Sequence, residues 1–403
     1  MHALPDRAER LFFLDWVRSL AFFVLIAYHV GMYYVSWDWV IKSPHAGAGP
    51  EPFMLLSSPW RLTLLFFVAG AASRFMLERT GTGAFLRRRS VRLLVPLVFG
   101  MLAIVPVQPY LEVVDKVGYG GSYFDFMRLY LVGYDGFCRE DCLILPTWNH
   151  LWFVAYLWVY TLVLALLYTL LGAARMARLG ARVSAWLQGW KLFALPVMCL
   201  SVVRIALANR FPTTHALVDD WFNHAIYLPV FVLGALVARS SQLWPEMERL
   251  RRLALTLALV CWTLIVAWYA VPEDAFDART MALIRLSMRC VYCLCTWSAI
   301  VAACGLARRH LNRDNAARRY LTDAVFPVYI AHQSLIVLLA YAFRPLHLAP
   351  GLEAVLLMLL TLATSFALFE AVRRMALLRP LFGLAYAGPR GLAPDAGRSA
   401  NAL

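Results

Sequence analysis

The sequence predicts an all-α fold, a polytopic membrane helix bundle with about ten transmembrane helices. Of the 403 residues, 62% are hydrophobic and only 15% are charged, whereas soluble domains average about 45–50% apolar and 25% charged residues. Apolar windows of roughly 20 residues, the length that crosses a bilayer, recur along the chain. Lys and Arg concentrate in every second connection between these windows, as is typical of multi-pass membrane proteins.

The ten windows follow one another without a linker, an internal repeat or a low-complexity stretch, so we expect one integral membrane domain over residues 1–403. The largest pieces outside the membrane are an outer loop at 111–148 and a tail at 371–403. No small-residue cleavage site precedes the first window, which favours a retained helix over a cleaved signal peptide. The predicted spans are residues 11–35, 60–77, 93–110, 149–171, 192–208, 221–238, 253–271, 281–305, 321–342 and 352–370.

The distribution of charge predicts the orientation of these spans. Connections on one side carry 26 Lys and Arg residues, against seven on the other side. The positive-inside rule places the richer side, with both termini and the tail, in the cytoplasm. Orientation and attraction to anionic lipid explain the net charge of +14. We therefore expect membrane lipid, and no nucleic acid, as a partner.

The first span carries three ionisable residues, which are expensive inside a bilayer. Arg18 and His29 are eleven residues apart, about three helical turns and ~20°, so they share one face about 16 Å apart along the axis. Asp15 lies three residues before Arg18 and falls on the same stripe. An acid, a guanidinium and an imidazole on one stripe predict a reaction site, with His29 nearer the outer face.

Four arginines lie in the outer half of the predicted bundle, where no acid lies within a span. Either loop acids, among them Asp219, Asp220 and Asp274, balance these charges, or an anionic group of a substrate does so. The second interpretation makes them candidates for binding an anionic part of a substrate. They are Arg61, Arg204, Arg285 and Arg289.

Two further histidines, His150 and His332, lie in or beside spans and are candidates for the same site. The spacing of the histidines fits no zinc signature, so we predict no metal. Cys138 and Cys142 share the outer loop and would form a disulfide only if the loop departs from helical geometry and meets an oxidising compartment; the sequence leaves this open.

A basic cluster precedes the third span on the cytoplasmic side. Arg89 and Arg92 point the same way on a helix, and with Arg88 they offer charge-assisted donors to a phosphate-rich ligand. Membrane anchoring by the positive-inside rule explains the same cluster equally well.

Five blocks, in order along nearly the whole chain, resemble the acyltransferase-3 family of multi-spanning membrane O-acyltransferases. Arg18 and His29 match its Arg-x10-His pattern. The other four blocks are FFVAG with Arg74, RRRSVR (87–92), HLWFVAYL (150–157) and VYIAHQSL (328–335). Further segments are similar to a subgroup associated with succinylation of periplasmic glucans: LDWVRS in the first span, YLPVFVLGA (227–235) and the closing LFEAVRR and RPLFG.

The resemblance implies an enzyme of the bacterial inner membrane that moves an acyl group, succinyl or acetyl, from cytosolic acyl-coenzyme A to a periplasmic or cell-envelope glycan. His29 would be the catalytic residue, supported by Arg18 and Asp15, and the four outer arginines with His150 and His332 would bind the acyl group or the acceptor. Acyl-coenzyme A would be a substrate rather than a bound cofactor. The alternative is a secondary transporter of an anion or glycan without covalent chemistry. The sequence makes no prediction of oligomeric state.

Overall fold

The computed structural model describes residues 11–138, 142–272 and 274–386. Within these residues the chain is predominantly α-helical, which confirms the predicted all-α helix bundle. The α-helices are α1 Phe12–Met32, α2 Glu51–Ser57, α3 Arg61–Thr80, α4 Thr82–Phe99, α5 Val107–Lys116, α6 Tyr123–Val132, α7 Trp152–Trp186, α8 Lys191–Leu207, α9 Trp221–Val237, α10 Leu243–Tyr269, α11 Ala278–Leu311, α12 Ala316–Phe343 and α13 Pro350–Arg374.

Each of the ten predicted spans coincides with one or more of these helices. In the described part of the chain, eight helical segments are long and apolar enough to cross a membrane. The other two predicted spans, 192–208 and 221–238, form α8 and α9, which have 17 residues each, the lower limit for a spanning helix. The count of ten and the cytoplasmic position of the termini stay predictions.

The third span departs from a single helix. α4 contains Pro96, and a π-helical turn at Gly100–Ile104 separates it from α5, which follows Pro106. Proline lacks the N–H that a regular helix needs, so the ladder shifts at these positions. α7 is likewise interrupted, because Gly172 has φ 75° and divides the apolar half from the basic half.

The predicted outer loop is folded in its described parts, 111–138 and 142–148. α6 begins with a capping box between Ser122 and Asp125 and ends at Gly133 in the left-handed conformation. Phe126, Tyr130 and neighbouring apolar residues form a small separate core. A disulfide joins Cys138 and Cys142, which are paired across the loop rather than placed on a helix. The possibility that the sequence left open is thus realised.

α1 lies at the centre of the bundle and packs against α3, α11, α12 and α13. Large apolar side chains stay exposed on the outward faces of other helices, for example Leu166, Val260 and Leu359. Exposed aliphatic faces of this kind suit contact with lipid. The helix that carries Asp15, Arg18 and His29 is therefore enclosed by protein on several sides.

Candidate active site

His29, near the outer end of α1, is joined to His332 in α12. The Nδ1 atom of His29 lies 2.8 Å from the Nε2 atom of His332, and the two rings are stacked with centroids 5.0 Å apart. His332 is fully buried, whereas His29 is partly exposed. The pair therefore has one enclosed member and one accessible member.

The backbone fixes which nitrogen of each ring carries the proton. The Nδ1 atom of His332 lies 2.6 Å from the carbonyl oxygen of Tyr329, which only accepts, so Nδ1–H of His332 must donate. Its Nε2 then accepts from Nδ1–H of His29. The Nε2 atom of His29 is left with a lone pair, and no described residue bonds to it. This is the tautomer that a general base or a nucleophile requires.

His150 supports His332 from the buried side. The two rings meet edge to face with centroids 5.1 Å apart, and Nε2–H of His150 donates to the carbonyl of Ile330. Its Nδ1 accepts from Gln108 at 3.3 Å. The sequence predicts that His150 and His332 bind an acyl or acceptor group. In the structure both ring nitrogens of each histidine bond to other residues of the protein.

A buried amide network holds this arrangement, and the sequence reasoning missed it. The Gln108 side chain donates to Ser334 at 2.7 Å and accepts from Gln333 at 2.9 Å and from Asn149 at 3.1 Å. Buried polar groups are rigid when every member has a partner. The available signal is that Asn149 directly precedes His150, and that Gln333 and Ser334 follow His332 in the block VYIAHQSL; nothing in the sequence distinguishes Gln108.

The amino-terminal end of α1 also contacts α12, through a different pair of residues. Asp15 forms a buried ion pair with Arg318, while the guanidinium of Arg18 lies farther from Asp15, at 3.7 Å. Asp15 and His29 are 14 residues apart, as are Arg318 and His332, so α1 and α12 run parallel and meet at both ends. Asp15 is about 21 Å from His29 along the axis, and the structure does not bring the two together.

The three arginines of the basic cluster differ in how far they are exposed. Arg88 is exposed, whereas Arg89 and Arg92 are partly buried and lie close enough to Arg18 for the charges to interact. Arg89 donates to Ser73 at 3.0 Å. The result is a cationic inner mouth, defined by Arg18, Arg89 and Arg92, on the side from which α1 starts.

The comparisons with known proteins agree with this geometry. Residues 11–370 match the family model Acyl_transf_3, described as an acyltransferase domain. The chain belongs to the acyltransferase-3 family. It is also 23% identical over 392 residues to proteins named glucans biosynthesis protein C from Escherichia coli O6:K15:H31 (strain 536 / UPEC) and from E. coli strain K12, with 94% of this chain and 95% of each relative covered. No solved structure matches the chain.

As a member of the acyltransferase-3 family, the protein is a membrane O-acyltransferase. Family membership favours covalent chemistry over the transport alternative. In the part of the chain that the structure describes, no group of three His, Cys, Asp or Glu residues could hold a metal ion.

Two of the four outer arginines of this acyltransferase, Arg61 and Arg204, line one cavity of about 290 Å³. Arg285 is exposed, and Arg289 donates to Asn209 at 2.5 Å; neither lines the cavity. His215, in the segment between α8 and α9, also lines it. Burial lowers the pKa of His215 from 6.5, with Asp220 opposing the shift and Arg61 adding to it, so this imidazole is neutral near pH 7.

Proposed function

We propose that this O-acyltransferase moves an acyl group, with succinyl favoured over acetyl, from cytosolic acyl-coenzyme A to a hydroxyl of a periplasmic or cell-envelope glycan in the bacterial inner membrane. The observation that carries the proposal is the unprotonated Nε2 of His29, which follows from the bonds of His332; the His29 residue is partly exposed. The printed name of the relatives, glucans biosynthesis protein C, supports a glucan as the acceptor.

The chemistry follows from the weakness of a sugar hydroxyl as a nucleophile at neutral pH. Nε2 of His29 takes the hydroxyl proton while the oxygen attacks the thioester carbonyl. The carbon–sulfur bond then breaks, and the imidazolium returns the proton to the departing coenzyme A thiolate. His332 keeps the imidazole of His29 in the correct tautomer and orientation throughout, since its own Nδ1–H stays bonded to Tyr329.

A second route uses the same nitrogen as a nucleophile. Nε2 would first attack the thioester and release coenzyme A, and the glycan hydroxyl would then displace the acyl group from the imidazole. Acid quenching after a brief incubation with radiolabelled acyl-coenzyme A separates the two routes, because only the second leaves label on the protein.

The cationic inner mouth supports delivery of the donor from the cytosol. Arg18 lies about 16 Å from His29 along α1, so an extended thiol-bearing arm could reach the imidazole while phosphates stay near Arg18, Arg89 and Arg92. Guanidinium groups bind phosphate through charge-assisted hydrogen bonds.

We expect Arg89→Ala and Arg92→Ala each to raise the KM for acyl-coenzyme A about 10- to 100-fold, the loss that one charge-assisted bond predicts. Steady-state kinetics of the purified enzyme in proteoliposomes measures this. Arg87→Ala, which removes an exposed arginine of the same helix, is the matched control. An unchanged KM in both Arg89→Ala and Arg92→Ala would remove the donor role from this cluster.

The test of the whole proposal is mass spectrometry of periplasmic glycans from cells with and without the protein. Glycans that gain one succinyl or acetyl group only when the protein is present support it and identify acyl group and acceptor together. Movement of unmodified glycan or acid across the membrane, with no mass change in any glycan, would support transport instead.

A further inference from the structure

Two arginine side chains, one buried and one half-buried, line the cavity between α3, α8, α9 and α11, and no Asp or Glu among the described residues lines it with them. Arg61, the first residue of α3, is 7% exposed, and its Nε and Nη1 atoms are buried with no hydrogen-bond partner. Arg204 lines the opposite wall from α8. Unpaired guanidinium groups in a membrane protein are costly, so this cavity lacks a negative charge.

Aromatic rings, rather than carboxylates, contact these two guanidinium groups. The Arg61 guanidinium lies 3.3 Å from the ring centroid of Tyr28, and that of Arg204 lies 3.8 Å from the ring centroid of Tyr292. A cation stacked on a ring face keeps its in-plane N–H donors free for a planar anion. The stacking therefore orients both groups without neutralising them.

The nearby carboxylate of Asp220 is engaged through one of its two oxygens. Its Oδ2 accepts hydrogen bonds from Tyr156, from Asn223 and from the backbone N–H of His215, while its buried Oδ1 has no hydrogen-bond partner among the residues that the structure describes. No ion pair joins it to Arg61 or Arg204 in the described part of the chain. The cavity also contains the first turn of α3, whose backbone N–H groups favour an anion.

His29 does not line the cavity, but Arg61, which does, lies near its imidazole. The ring of Tyr28 is 6.1 Å from that of His29 and 3.3 Å from the Arg61 guanidinium, which places this cation no more than about 10 Å from the imidazole ring. A four-carbon dicarboxylic acyl chain is long enough to span any distance up to this bound: ~3 Å separates the reacting atoms, ~3 Å the carboxylate from its donor, and ~4 Å the two ends of the extended chain.

We propose that Arg61 and Arg204 form a carboxylate-binding subsite that holds an anionic group of a substrate beside His29. This rests on the proposed acyl transfer and deepens it by assigning the anion a place. The carboxylate is either the distal end of a dicarboxylic acyl group or an anionic substituent of the acceptor glycan. A planar carboxylate matches the guanidinium fork in either case.

Kinetics with two donors and two acceptors distinguishes these sources. Succinyl-coenzyme A and butyryl-coenzyme A have equal chain length and differ in the terminal charge, and each is paired with a neutral glucan and with a carboxylated glucan. If the acyl end is bound, Arg61→Gln lowers kcat/KM about 10- to 100-fold for succinyl only. If the anionic group of the acceptor is bound, Arg61→Gln shows the same loss of kcat/KM with the carboxylated glucan, whichever donor is used, and no loss with the neutral glucan. Equal loss in all four combinations, or no loss, overturns the subsite.

Matched variants separate binding from folding. Arg204→Gln should repeat the selective loss, and Arg61→Lys should show an intermediate loss, because it keeps the charge without the fork. Arg279→Gln removes an exposed arginine at the outer end of α11 and should leave the donor preference unchanged.

A binding measurement keeps the subsite testable if acyl transfer itself is not found. Monomethyl succinate should raise the thermal unfolding temperature of the detergent-purified wild-type protein, whereas the neutral ester methyl butyrate should not. Arg61→Gln should lose this shift and Arg279→Gln should keep it. A wild-type protein that monomethyl succinate does not stabilise overturns the subsite, whatever the kinetics of acyl transfer show.

Discussion

His29→Ala is expected to lower acyl transfer about 10²- to 10⁴-fold, the usual contribution of a positioned general base, and to abolish it if the acyl group is carried on the imidazole. The fold should persist, because His29 is partly exposed and its one hydrogen bond from Nδ1 is to His332. Acyl transfer in proteoliposomes measures the loss, and His310→Ala, at an exposed position on α11, is the control.

Two variants of His332 test whether it positions His29. The amide oxygen of His332→Gln can accept from Nδ1–H of His29, so this variant should keep most of the activity. His332→Leu removes the acceptor and should lower kcat about 10²-fold through misorientation, with KM little changed. A purely structural role would lower the thermal stability of both variants without separating their kcat values.

Full activity of His29→Ala would contradict the assignment outright. Equal activity of His332→Gln and His332→Leu would leave His29 as the reacting group but remove the positioning role of His332. The two results are therefore independent tests of one geometry.

The α1 stripe shows what the sequence could predict. Helical periodicity places Asp15, Arg18 and His29 on one face, and the structure confirms that Asp15 and His29 face the same neighbour. The partners, Arg318 and His332, lie 303 residues away in the chain, and periodicity within one helix contains no information about them. The stripe was interpreted as one reaction site, whereas its inner acid belongs to an ion pair.

The outer arginines show the same limit. Their common depth in the bundle follows from the topology, but a span's rotation about its axis is set by packing against neighbouring helices. Arg61 and Arg204 consequently share a cavity while Arg285 is exposed. The sequence could identify four candidate arginines. Only the contacts between helices show which two of them line the same cavity.

Gly70→Leu is expected to prevent correct assembly of the bundle. A Cβ atom on Gly70 in α3 would overlap the carbonyl oxygen of Phe231 in α9, and one on Gly234 would overlap that of Phe67. Small residues permit such backbone contact between membrane helices. Even Gly70→Ala forces the helices apart and should cost roughly 1–3 kcal/mol, as overpacking does elsewhere.

Thermal unfolding in detergent, together with the monodisperse fraction on size exclusion, measures this effect. Gly83→Ala is the matched control, because a Cβ there meets no atom within 4 Å. An unfolding temperature of Gly70→Ala equal to that of the wild-type protein would contradict the expected destabilisation of the contact between α3 and α9.

The two glycines act on one contact, so their effects should not add. Once Gly70→Ala has separated α3 from α9, Gly234→Ala in the same molecule meets a carbonyl that has already moved, and the double variant should be more stable than the sum of the single losses predicts. The contact also has a functional consequence. Arg61 begins α3, and Tyr227 of α9 lines the same cavity. A folded Gly70→Ala protein should therefore have a weaker preference for succinyl-coenzyme A or a carboxylated glucan while the His29–His332 bond, which lies between α1 and α12, stays intact.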